Sequence, residues 1–168
     1  MEGTEMVAYQ PEAWHDFFTA TTAAAAAVTG LLFVALSINL AAILKEPRLP
    51  GRAAGTLVTL VSMVLVSVFA LAPGQSLRVL GIEVAVIGSI AATQALVVSI
   101  RMPTSDYPVR WLIGHLSLLL LPALGFLGGG VSLAIGAGGG FYWLLGAVAV
   151  GFATASINAW VLLVEILR

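Results

Sequence analysis

Cysteine is absent from the 168 residues, and charge is scarce: seven Lys or Arg and eight Asp or Glu, 9% of the chain. The first absence excludes disulfides, thiolate metal sites and thiol chemistry. The second excludes a disordered tail and a water-soluble globular domain, which carries about 25% charged residues. With a net charge of −1, no field draws the chain to nucleic acid, which is excluded as a partner. Residues 1–16 hold Glu2, Glu5, Glu12 and Asp16 but no Lys or Arg. The basic start of a secretory signal is therefore missing, and every apolar segment is expected to persist. No His, Cys or acid stands at ligand spacing from His115, and no nucleophile has an evident orienting partner, so no metal, no cofactor and no enzymatic activity are expected.

Apolar residues make up 60% of the chain, and the mean hydropathy is +1.07. A bilayer crossing needs about 20 apolar residues at a rise of 1.5 Å each. The sequence predicts an all-α transmembrane bundle forming a single domain over residues 1–168, with five spans: about 17–44, 53–72, 79–100, 111–135 and 141–167. Residues 45–52 (KEPRLPGR) form a charged loop with two prolines, and Ala72-Pro73-Gly74-Gln75 is a turn. From Trp111 to Val164 there is no charge. That run is too long for one crossing, and the glycine-rich residues 136–140 divide it. The apolar runs are continuous rather than alternating, which excludes a β-barrel.

Lys45, Arg48, Arg52, Arg101, Arg110 and Arg168 all fall on one side of a five-span chain, and only Arg78 falls on the other. The positive-inside rule then predicts an external N-terminus and a cytoplasmic C-terminus in the cell membrane. Trp14, Phe17, Tyr142 and Trp143 read as anchors at the outer ends, and Tyr107 and Trp111 at the inner ends.

Trp14-His15-Asp16-Phe17-Phe18, the run Gly30 to Leu40, Leu49-Pro50-Gly51-Arg52-Ala53, Leu71 to Gln75 and Gly81-Ile82-Glu83 together resemble a group of small multi-pass, mainly actinobacterial, largely uncharacterised membrane proteins. Some of that group bear the label "modulator of FtsH protease". The resemblance covers the first half of the chain. It implies a role in regulating a partner and assigns no functional residue.

Spans one, three and five run in the same direction, and each carries one carboxamide near its inner end: Asn39, Gln94 and Asn158. Each is followed seven residues later by a charge: Glu46, Arg101 and Glu165. Seven residues are close to two helical turns, so each pair shares a face. If the three helices adjoin, the carboxamides form a layer, and Arg101 pairs with Glu46 or Glu165. His115 on span four reaches a similar depth from the opposite direction, as does Thr59 on span two. Glu83 lies near the outer end of span three on the face of Gln94. It reads either as a snorkelling carboxylate or as a buried carboxyl able to exchange a proton or hold a cation. Carboxamide glue between helices is the plainer reading of the layer; a polar cavity for an ion, proton or small ligand is the sharper one.

Pro122 should kink span four. Gly125 and Gly129 form a GxxxG pair suited to close helix packing, within the chain or against a partner. Ala23 to Ala27 with Gly30 make another small face. Ala147, Gly151, Thr154 and Asn158 share a stripe expected to face inward. Gly138-Gly139-Gly140 has no following Lys-Ser/Thr and is not a phosphate loop.

The expected function is an accessory or regulatory interaction subunit, with the lipid bilayer and either a second copy or another membrane protein as partners. The alternative is an ion or proton channel, or a small-solute transporter, built on Asn39, Glu83, Gln94, His115 and Asn158.

Overall fold

The computed structural model describes residues 7–47, 49–101 and 109–166; for residues 101, 109–113, 115, 163, 165 and 166 it describes the backbone alone. A 3₁₀ turn, Pro11–Trp14, leads into α1 (His15–Ile38) and, after a break, into a single turn Leu40–Ile43. Then follow α2 (Leu49–Ala70), α3 (Leu77–Arg101), α4 (Val109–Ile135) and α5 (Phe141–Ile166), with no strand among the described residues. Five helices are long and apolar enough to cross a membrane. The chain is an all-helical, multi-pass membrane protein. Arg48, Tyr107 and Arg168 lie outside the described residues, as do the side chains of Arg110 and Trp111.

Two boundaries differ from the sequence expectation. The segment Leu49–Arg52, expected in a loop, is the first turn of α2. Proline is tolerated there because its missing N–H would have no intrahelical acceptor anyway, and Arg52 is drawn into the bundle, only 7% exposed. The first span is also not continuous to Leu44. Asn39 leaves helical geometry (φ −102°, ψ 13°), and its Nδ2 donates to the Ala35 carbonyl at 2.9 Å. A short amide that bonds its own backbone competes with the helical ladder, and the helix breaks.

Helix α2 occupies the centre. It packs against α1, α3 and α5, and 56% of its apolar core stretch is buried, against 17% for α1. The closest pair is α3 with α4, where glycines let backbone meet backbone. A Cβ on Gly81 would lie 2.4 Å from the Ala134 nitrogen, and one on Gly88 would lie 2.5 Å from the Leu127 nitrogen. The Gly125 and Gly129 pair is used within the chain: Gly125 rests on Ala147 and Gly129 on Leu144, both of α5.

The N-terminal segment ties off one end of the bundle. The Ala8 carbonyl accepts from the Phe141 N–H at 2.9 Å, and Trp14 Nε1 donates to the Val7 carbonyl at 2.8 Å. The Tyr9 hydroxyl accepts from the Gly139 N–H at 2.9 Å and contacts Ser132 Oγ at 3.3 Å. Ser132 Oγ in turn accepts from the Gly140 N–H and donates to the Ala137 carbonyl. Gly138, Gly139 and Gly140 all have positive φ, and a Cβ on Gly140 would sit 2.1 Å from the Ala8 carbonyl oxygen. Rings of Trp14, Phe17, Phe18, Phe141 and Tyr142 stack edge-on or tilted beneath this knot. Replacing Tyr9 by Phe removes the hydroxyl that joins the two segments. We expect faster amide exchange over residues 7–14 and 137–141, with the midmembrane helices unchanged, as read by exchange mass spectrometry. Equal exchange in both proteins would mean that the aromatic stack and the Phe141–Ala8 backbone bond hold the strap without the hydroxyl.

Candidate intramembrane polar site

The expected layer required α1, α3 and α5 to adjoin. Instead α2 stands among them, because its face of small and hydroxyl residues packs on three sides. The sequence-predicted residues are therefore placed separately. Asn39 is bonded to its own helix. Gln94 faces the junction of α2, α3 and α4, where it lines a small cavity. Asn158 lies on the α2–α5 seam. Glu83 is half-buried at the end opposite residues 45–52, and its Oε2 accepts from Gln75 Nε2 of the α2–α3 turn. Glu46 is exposed. The side chains of His115, Arg101 and Glu165 lie outside the described residues, so the expected ion pairs do too. Among the described residues, no group of three His, Cys, Asp or Glu stands close enough to hold a metal. His15 and Asp16 meet at 3.5 Å, both well exposed.

The α2–α5 seam holds the densest buried polarity. Two contacts fix its antiparallel register. Gly151 of α5 lies over Met63 and Thr59 of α2, and Leu162 packs with Leu49 and Ala53. Between these points Thr154 and Asn158 lie along the stretch of α5 that meets Thr56 and Arg52. Thr154 is 1% exposed and Asn158 0% exposed. Among the described residues, neither the Thr154 hydroxyl nor either polar atom of the Asn158 amide has a hydrogen-bond partner. The stripe Ala147, Gly151, Thr154 and Asn158 thus faces inward, as its spacing predicts.

On α2 the buried polar residues Arg52, Thr56, Thr59 and Ser62 follow one another at helical spacing. Thr56 donates to the Arg52 carbonyl and Thr59 to the Gly55 carbonyl, each at 3.0 Å. Their protons are satisfied locally, while their oxygens keep the capacity to accept. Apart from Thr59, this row is not among the residues that the sequence reading singled out. The four-three-three spacing from Arg52 carries its signal, but the charges and prolines of residues 45–52 mark Arg52 as a loop residue, which hides the start of the stripe.

Room for a ligand is divided unevenly. The cavity at Gln94 is about 10 Å³ and is also lined by Thr59, Ser62 and Pro122. Two larger hollows are apolar and open sideways. One of about 450 Å³ lies on α4–α5 around Leu121, Gly125, Gly146 and Val150. One of about 270 Å³ lies on α2–α3 around Leu57, Val61 and Ile90. No family model, curated protein or solved structure matches the chain.

Proposed function

We propose that this protein is an accessory or regulatory subunit of the cell membrane, with its N-terminus outside and its C-terminus cytoplasmic. It packs sideways against another membrane protein or a second copy of itself. The carrying observation is the contrast in accessible space: about 450 Å³ in the apolar lateral groove of α4–α5, against about 10 Å³ at the polar junction of α2, α3 and α4. A groove floored by Gly125 and Gly146 admits close approach of a helix, the usual basis of association in lipid. The basic residues near 45–52 support the orientation. A partner-regulating role agrees with the resemblance of the first half of the chain to proteins labelled as protease modulators.

A second reading, an ion or proton pathway, is favoured by one observation: the buried row Arg52, Thr56, Thr59 and Ser62 facing Thr154, Asn158 and Gln94. A single preparation separates the two. A photo-crosslinking residue at Val150 or Leu121, activated in native membranes, is expected to give a discrete adduct. The same residue at the exposed Leu31 of α1 serves as the comparison. Recovery of monomer alone would remove the subunit reading. Proton or ion flux in liposomes made from that preparation, reduced by Glu83→Gln, would put the pathway in its place.

A further inference from the structure

We infer that the junction of α2, α3 and α4 binds one structural water, held by Thr59, Ser62 and Gln94. The volume matches: a water needs roughly 10–15 Å³ of space for its centre, and the cavity offers about 10 Å³. The polar partners match as well. Pro122, which also lines the cavity, has no N–H and brings no donor to it. The Thr59 proton is committed to the Gly55 carbonyl, which leaves its oxygen as an acceptor. Gln94 and Ser62 bring donors, and neither bonds to another described residue. A water donates to Thr59 and accepts from Ser62 and Gln94, three bonds, the number usual for a buried water.

The same geometry disfavours a cation. The nearest carboxylate along α3 is Glu83, eleven residues and about 16 Å from Gln94, and it is engaged by Gln75. A bare ion at the centre of a bilayer without a counter-charge carries a large desolvation cost. Water carries none of that charge, and it links α2 to α3 beside the proline of α4.

The test uses the full chain in lipid bilayers, labelled with ¹⁵N-glutamine. The sequence has three glutamines, Gln10, Gln75 and Gln94. In water-edited solid-state NMR the Gln94 side-chain amide is expected to receive magnetisation from water despite its depth, with its signal assigned by loss in Gln94→Leu. Ala91→Val, which directs methyl groups into the cavity, is expected to abolish that transfer while the Gln94 signal persists. Ser62→Ala, a smaller change, is expected to weaken it. Three results would overturn the inference: no transfer to Gln94 when the exposed Gln10 shows it, transfer unaltered in both Ala91→Val and Ser62→Ala, or a Gln94 signal that shifts when sodium is exchanged for choline. The last would assign the site to a cation.

Discussion

Alanine at Gly130 is expected to cost the fold at least the upper part of the ~1–3 kcal/mol typical of overpacking. The added Cβ would lie 2.3 Å from the Ala85 nitrogen and 2.6 Å from the Gly81 carbonyl oxygen, where ordinary contact begins at 3.4 Å. Both obstacles are backbone atoms, which cannot rotate aside as a side-chain tip can. Helices α3 and α4 must then separate by about 1 Å, and a seam packed at crystal-like density loses its attractive contacts over that distance. Gly88→Ala meets the Leu127 backbone in the same way from the other helix. The two substitutions act on one seam, so the double variant is expected to cost less than the sum, because the first displacement relieves the second. Gly30→Ala and Gly146→Ala are the controls. Nothing stands within 4 Å of either new methyl, and alanine's better helix propensity should leave them neutral or slightly more stable. Thermal midpoints in one mild detergent decide the matter. A Gly130→Ala midpoint equal to that of Gly146→Ala would mean that α3 and α4 do not meet through their backbones.

That seam also marks where the sequence ceased to be legible. Five crossings could be read because residues 45–52, the Ala72-Pro73-Gly74-Gln75 turn, residues 101–110 and the 136–140 turn interrupt otherwise unbroken apolar runs, and hydrophobic length sets the number of crossings between them. The inward face of α5 could be read because Ala147, Gly151, Thr154 and Asn158 repeat at helical spacing, and all four are buried. Which helices adjoin could not. In lipid, adjacency depends on where small residues permit close approach, and the decisive pair, Gly81 and Gly88, is uniform with the other glycines until a partner backbone lies across it. The break at Asn39 follows from a local bond that hydropathy does not register. The strap at residues 7–14 depends on a backbone carbonyl, Ala8, which leaves no trace in side-chain pattern. The candidate layer failed for the same reason: depth was legible from distance along each helix, but rotation and neighbours were not.

Asn158→Leu is expected to stabilise the protein, by about 1–3 kcal/mol, the desolvation cost of a buried polar group without a partner. Asn158 is 0% exposed, and both of its polar atoms lack partners among the described residues, so the substitution removes no bond made to them. Leucine shares the branched shape of asparagine but is larger, so overpacking against α2 offsets part of that gain. Asn158→Ala also removes the unmet amide but leaves a void, so it is expected to fall below the leucine variant by about 2–5 kcal/mol. The order of the three proteins therefore separates packing from hydrogen bonding at one position. If wild type proves more stable than Asn158→Leu by more than the ~1–3 kcal/mol that overpacking costs, the amide is bonded in the membrane, to water or to a partner, and the seam is not dry. If the leucine variant is the most stable yet loses its crosslinked partner or its flux, Asn158 is retained for activity at the expense of the fold, the usual trade at a working site. In that case the pair Asn158 and Thr154, rather than the lateral groove, becomes the centre of the protein's chemistry, with Arg52 and Thr56 of the facing helix as its nearest polar surroundings.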